Sequence, residues 1–319
     1  TNIGDASGTL TTPNPVITAK GDIQSIPTAL IDAFSVKNGL PGDILGPSVN
    51  LTLDAKNFSK TGGTIRTDIT STETKLTSAN GPEALLPRAL IQINGEVKNG
   101  VLITPMLIAL RRLDGELSRK AGDLLPSLAE VEKRFEDKQA IIQSNRLELP
   151  LDGDLRKLNG QVNIDPGEAR FKVGGGLGGF LKRINAKDEG KALQRLKPLT
   201  ITCVNGVLSY PRWTFPVGEF NFELEGLAIN LPGERIDVVT WVPFGQVADD
   251  AGKLFSAIPG IAATGGALNQ ATMMPFRTSG PLKSPSTRPD LELFARGFLK
   301  NVGPERIVDI LKDVVQPKK

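Results

Sequence analysis

The sequence predicts a mainly β protein built on an antiparallel sheet that is apolar on one face. Three observations carry that prediction. Residues 219–225 read EFNFELE, an unbroken alternation with Phe220, Phe222 and Leu224 on one face and charge on the other. Successive side chains of a strand point to opposite sides, so such a segment buries one side and wets the other. Leu227, Ile229 and Leu231 continue the pattern, Pro232-Gly233 turns the chain, and Ile236 and Val238 resume it. The second observation is that this alternation recurs upstream, in Val49, Leu51 and Leu53, in Ile65 and Ile69, in Ile91, Ile93 and Val97, and in Val162 and Ile164. The third is a pair of Asn-Gly steps, at 99–100 and 205–206, each flanked by apolar runs. Asn-Gly readily takes the positive φ angles of a type I′ turn, so each predicts a tight hairpin. With Asn38-Gly39 as a fainter third copy, the recurrence suggests a duplicated unit.

Composition agrees with this class. At 319 residues the chain has room for two ordinary domains or one extended one. Hydrophobic residues make up 39% but aromatics only 5%, so the buried face is expected to be aliphatic. The 34 Gly and 23 Pro supply the turns an all-β chain needs. The 38 basic and 35 acidic residues are interspersed, and no basic stripe argues for nucleic acid. The single cysteine, Cys203, excludes an intramolecular disulfide, and its neighbours Ile201 and Val204 predict a buried, unreactive thiol. No apolar run is long enough for a transmembrane helix, and no signal peptide is legible. The chain opens Thr1-Asn2-Ile3-Gly4, and the expectation is a processed chain or a fragment, joined to a membrane through an absent anchor or a partner protein.

Taken in order, residues 1–20 fit an edge strand or a lead-in, and 27–34 (PTALIDAF) a short helix before the turn-rich 38–42. Strands are expected at 49–56, 64–70 and 90–98. The pattern then breaks. Ser127 and Glu130 have the capping-box spacing, and Leu128, Val131 and Phe135 form a helical stripe, which predicts a helical insertion over about 116–138. Strands resume at 141–149 and 159–164; helices are expected over 177–196 and 247–258, with a small-residue linker at 259–270. A last strand near 273–278 leads through 281–289 to a helix begun by Pro289-Asp290 and broken at Gly303-Pro304. The expected division is a β-rich region over 1–280, with sub-units of about 20–115 and 139–280, and a helical tail over 281–319.

Catalytic patterns are sparse. The string 174–179 satisfies GxGxxG, but a dinucleotide site also needs an acidic residue about twenty positions on, where this chain has Lys197-Pro198-Leu199. Parallel α/β strands are also apolar on both faces, unlike these. A turn is the better reading. The absence of histidine removes Ser-His-Asp and Cys-His catalysis and histidine-containing zinc sites. Asp152-Gly153-Asp154 lacks the later ligands of a calcium loop and reads as a solvated turn. A carboxylate pair for sugar hydrolysis stays open in principle, yet two Trp and one Tyr are few for a sugar cleft. No catalytic residue, metal ligand or cofactor is assigned.

Three segments together resemble the C-terminal region of AsmA-like proteins of the diderm bacterial envelope. They are 149–171 (LPLDGDLRKLNGQVNIDPGEARF), 205–243 with its NGVLSYPRWTFPVGEF and IDVVTWVPF, and 274–298 (MPFRTSGPLKSPSTRPDLELFARGF). The last is the most specific, through its Pro-Phe-Arg-x-x-Gly and Pro-x-x-x-Pro-Asp-Leu. The resemblance implies a bridge-like lipid transfer protein: an extended antiparallel sheet curled into a half-pipe, with an apolar inside, flanking short helices and no catalytic residues. It implies phospholipid or other acyl lipid as the partner and the periplasm as the location.

The candidate groove residues are Val49, Leu51, Leu53, Ile91, Ile93, Val162, Ile164, Phe220, Phe222, Leu224, Ile229, Ile236 and Val238. The expected function is non-enzymatic binding or conduction of acyl lipid in the cell envelope. An ordinary β-sandwich shows the same alternation, because its two apolar faces pack on each other. A structural or adhesive cell-surface β-protein with a closed core is therefore the alternative.

Overall fold

The structure, a computed structural model, describes residues 15–32, 40–112, 131–133, 135–171, 194–217, 220–243, 273–282, 284–290, 292–294 and 296. First come β1 (Ile17–Pro27), the helices α1 (Thr28–Asp32) and α2 (Leu40–Leu45), β2 (Ser48–Phe58) and β3 (Thr64–Ser71). Next are β4 (Glu73–Leu76), β5 (Ala84–Pro87), β6 (Ala89–Lys98) and β7 (Val101–Leu110). Then follow β8 (Val131–Lys133), β9 (Ala140–Pro150), β10 (Asn159–Asp165), β11 (Glu168–Phe171) and β12 (Gln194–Arg195). The last are β13 (Leu199–Val204), β14 (Val207–Val217), β15 (Phe220–Asn230), β16 (Arg235–Pro243), β17 (Met273–Pro281) and β18 (Ser286–Pro289). One large antiparallel sheet of 13 strands runs in the order β1-β2-β3-β6-β7-β9-β10-β13-β14-β15-β16-β17-β18. Two small sheets, β12-β11-β8 and β4-β5, complete the strands. The fold is mainly β, as the alternation requires.

Two compact units share the chain. The first holds Thr1–Ala169, Arg195–Tyr210 and Asn230–Gly233; the second holds Arg170–Gln194, Pro211–Ile229 and Glu234–Lys319.

In the first unit both Asn-Gly steps make the expected tight turns. Asn99 and Gly100 have φ of 51° and 79°, and Asn205 and Gly206 have 51° and 74°. These angles set Val97 opposite Leu102 and Cys203 opposite Leu208. Gly206 is needed twice over. Its N–H donates to the Leu158 carbonyl at 2.9 Å, its own carbonyl accepts from Leu231 N–H at 3.0 Å, and an added Cβ would lie 2.3 Å from the Leu155 oxygen. Asp152-Gly153-Asp154 is an exposed turn leading into a 3-10 turn at Leu155–Lys157, with Asp154 capping the Arg156 N–H. Hydrogen bonds from Lys157 to Asp152, and from Arg156 to Asp154, hold both carboxyls below the usual range.

The second unit is packed around Trp213, Phe222, Ile236, Val238, Val242, Met274 and Phe276, all buried. Its strands β16 and β17 pair without a break from Arg235↔Pro281 to Pro243↔Met273. The Pro-Phe-Arg-x-x-Gly motif has a structural job there. Phe276 is buried, while the Arg277 guanidinium reaches Asp237 on β16 at 3.0 Å and Asp290, just beyond β18, at 2.8 Å. Arg212 lies over the Trp241 ring at 4.2 Å and pairs with Glu223, a cation–π contact on the same sheet.

Some expectations change. Val131–Lys133, placed by the capping box in a helix, forms the strand β8 of the small three-stranded sheet. Two acids at the end of the expected helix bond residues 77–78. Glu136 accepts from Thr77 N–H at 2.9 Å and Asp137 from the Ser78 hydroxyl at 3.1 Å. The rest of that insertion, 113–130, lies outside the described residues. Gln194 and Arg195 are a strand rather than a helix end, and 286–289 is the edge strand β18 rather than part of a helical tail. Asp290 does start a helical turn, its carboxylate accepting from Leu293 N–H at 2.9 Å. On either side of the expected insertion the chain pairs directly, β9 with β7, and β10 continues the sheet to β13. The glycine string 174–179, the helix 247–258, the linker 259–270, Asn38-Gly39 and the helices beyond 296 lie outside the described residues.

Gly206 and Gly153 test the turn argument together. Gly153 has φ +77° with nothing within 4 Å of an added Cβ, so Gly153→Ala should cost about 1 kcal/mol from left-handed strain alone. Gly206→Ala adds overlap with backbone and should cost more than roughly 2 kcal/mol. Urea denaturation of the two variants measures the difference; equal losses would contradict the close approach.

Candidate functional site

In an antiparallel sheet, residues directly opposite each other share a face. Following register across the first unit therefore shows what each side of the sheet carries. Ile23 on β1 lies opposite Leu51, Leu51 opposite Ile69, and Ile69 opposite Ile91. Ile91 then lies opposite Ile108, Ile108 opposite Ile142, Ile142 opposite Ile164, and Ile164 opposite Leu199. This is an unbroken row of isoleucine and leucine across eight strands. At about 4.8 Å per strand it spans roughly 34 Å.

The neighbouring row on the same face runs through Gly21, Leu53, Thr67, Ile93, Met106 and Ser144. One residue along each strand, the other face reads Asp22, Thr52, Asp68, Gln92, Leu107, Gln143, Asn163 and Thr200. Side chains there bond to one another, as in Gln92 Nε2 to Asp68 at 2.8 Å and Thr200 Oγ1 to Asn163 at 2.7 Å. One face carries aliphatic side chains; the other is polar except along β7, which contributes Leu107.

The apolar row is only partly covered. Leu51, Ile69, Ile91, Ile108, Ile142 and Ile164 are half-buried, Leu199 is buried, and Ile23 on the edge strand is 51% exposed. Small residues lie deeper between them. A Cβ on Gly95 would come within 2.7 Å of the Thr104 side chain, and Thr104 is itself fully buried. At one end of the face α1 and α2 pack down. Ile31, Ile44 and Leu45 from the helices meet Val49, Ala89, Ile26, Ile69, Ile91 and Leu110 from the strands. Thr28 ties that corner, donating to the Gly46 carbonyl at 2.6 Å.

Two titratable groups belong to this face. Cys203, opposite Gly160 and Leu208, is buried and donates to the Leu158 carbonyl at 3.3 Å. Burial pushes its thiol up, giving the inert cysteine expected from its neighbours. Tyr210, the only tyrosine, continues the face at the end of the unit, and burial pushes its phenol well above the usual value.

Register thus brings together Val49, Leu51, Leu53, Ile91, Ile93, Val162 and Ile164 on one face of the first unit. Among the other candidates, Phe222, Ile229, Ile236 and Val238 are buried in the second unit, and Leu224 is half-buried there. The Phe220 side chain lies outside the described residues. Sequence reasoning missed Met106 and Ile108, because β7 reads VLITPMLIAL and is apolar on both faces. The signal was present all the same. A two-residue turn at 99–100 makes the numbers of opposed residues sum to 199, which places Ile108 opposite Ile91.

Among the described residues no cluster of three or more potential ligands stands ready for a metal, and no helix is long and apolar enough to cross a membrane. Comparison with known proteins finds no matching family model, curated protein or solved structure.

Because the chain has one tyrosine, the rise in absorbance at 295 nm with pH reports ionisation of Tyr210 alone. An unfolded tyrosine ionises near pH 10. Above that pH the unfolded state binds fewer protons than the folded one, so stability falls as pH rises. The folded protein should show no phenolate signal at pH 10.5 until denaturant is added, and its denaturation midpoint should drop between pH 9 and 11. A free phenol titration in the folded protein would place Tyr210 in solvent.

Proposed function

We propose that this chain is an AsmA-like, non-enzymatic envelope protein that binds or conducts phospholipid or a related acyl lipid. The apolar face of the first unit is the track, and the sheet is curled so that this face is concave. The single observation that carries the reading is the eight-strand row of isoleucine and leucine, six members of which are only partly covered. A closed core would cover them. The row runs across the strands for roughly 34 Å, longer than one hydrocarbon leaflet of about 15 Å, half a bilayer core. Each methylene transferred onto such a surface contributes about 0.8 kcal/mol, so a full acyl chain is a substantial ligand even when partly covered. The polar row on the reverse face suits an aqueous compartment. The envelope location, the periplasm of a diderm bacterium, rests on the resemblance of 149–171, 205–243 and 274–298, and the reading assigns no catalytic step and no cofactor.

A closed-core structural protein is the second reading, and one observation favours it. In the second unit Val238, Val239 and Val242 are all buried, although Val239 points to the side of the sheet opposite the other two. That stretch is packed on both faces and offers no open track.

Substitutions in the two units separate the readings. In Ile93→Glu the carboxylate sits at a half-buried position where it can stay hydrated, so the fold should survive and co-purifying lipid, read by native mass spectrometry, should be lost. In Phe222→Glu an unpaired charge would be fully buried, and the second unit should unfold. An unfolded Ile93→Glu, together with a lipid-free parent protein, would mean that the row is a packed core.

A further inference from the structure

We propose that β1 is a dimerisation edge at which two copies of this chain pair their β1 strands antiparallel, about a two-fold axis at Gly21. The inference goes beyond the lipid reading and stands without it. β1 has β2 on one side and no strand on the other among the described residues, and ten of its eleven residues are exposed. An open edge of this length is a template for another strand. The opposite edge of the large sheet is blunted: β18 has four residues, ends in Pro289 and follows Pro285.

The occupant follows from the sequence of the edge. Register shifts between Ile17 and Ala19, and between Ile23 and Ile26, confine the regular part of β1 to Ala19–Ile23, whose midpoint is Gly21. Pairing two copies antiparallel about Gly21 sets Gly21 opposite Gly21, Ala19 opposite Ile23, and Lys20 opposite Asp22, each of the last two pairs twice. Both ion pairs are complementary. Moving the axis by one residue sets Lys20 opposite Lys20 or Asp22 opposite Asp22, which like-charge repulsion disfavours. A two-fold axis perpendicular to the sheet also keeps the apolar side on the same side in both copies, so the exposed Ile23 gains an apolar neighbour. The edge is self-complementary in charge, in polarity and in length, which is what a symmetric contact requires.

The test uses the full chain. Sedimentation should show a concentration-dependent dimer. Asp22→Lys and Lys20→Asp should each weaken it by about tenfold or more, through two like-charge pairs per dimer. Mixing the two variants should restore association, because each supplies the charge the other lacks. Gly21 has nothing within 4 Å of an added Cβ, so Gly21→Cys leaves the monomer intact and adds one exposed thiol beside the buried Cys203. Under mild oxidant that variant should cross-link as a dimer while the parent does not. A parent monomeric up to about 100 μM, a dimer indifferent to both charge changes, or Gly21→Cys that stays monomeric under oxidation would each overturn the proposal.

Discussion

Because a strand turns successive side chains to opposite sides, a slip of one residue anywhere between β1 and β13 would move isoleucines from one face to the other. The first unit depends on that register holding across eight strands. It is set locally at Asn99-Gly100, which joins β6 to β7, and Asn205-Gly206 carries it on from β13 to β14. Between them β9 carries an irregularity against both neighbours, with shifts at Thr104/Met106 and Gly160/Asn163. The long row lies on one side of that irregularity, and its pairing is continuous from Ile108 through Ile142 to Ile164.

Register alone would not hold the sheet together. Cross-strand pairs contribute only roughly 0.2–1 kcal/mol each, so a wide single sheet also needs an end that is covered and a floor that is well packed. The α1–α2 corner supplies the first, with Leu45 buried against Val49 and Ala89. Gly95, Thr104, Ser144 and Ala140 supply the second: small side chains set low between larger ones. These features together leave the isoleucine side chains only partly covered by the chain.

Where polar and apolar side chains alternated, the sequence could be read directly. β2, β3, β6, β10, β15 and the start of β16 announce themselves by alternation, and both Asn-Gly hairpins form as their chemistry demands. Strands without that contrast were opaque. β7 is apolar on both sides, and only the turn before it reveals which residues join the row. β4, β5, β8, β12 and β18 are two to four residues long, too short to show a period. The helical stripe expected through Val131 and Phe135 fails where it is described, because Val131–Lys133 pairs as β8 and Glu136 and Asp137 bond the Thr77 N–H and the Ser78 hydroxyl. The candidate site divided for a related reason. Alternation in β2 and in β16 looks alike, but Leu51 is half-buried while Val238 is buried, and coverage depends on tertiary neighbours that no local period encodes.

The central claim is that hydrocarbon contacts one face of the first unit with the period of a strand. A photo-activatable side chain placed in turn at 91, 92, 93 and 94 on β6, in protein carrying co-purified or added phospholipid, tests it directly. The account predicts lipid adducts at 91 and 93 and none at 92 and 94, where Gln92 and Asn94 stand on the polar side. Adducts at all four positions, or at none with lipid present, would contradict it.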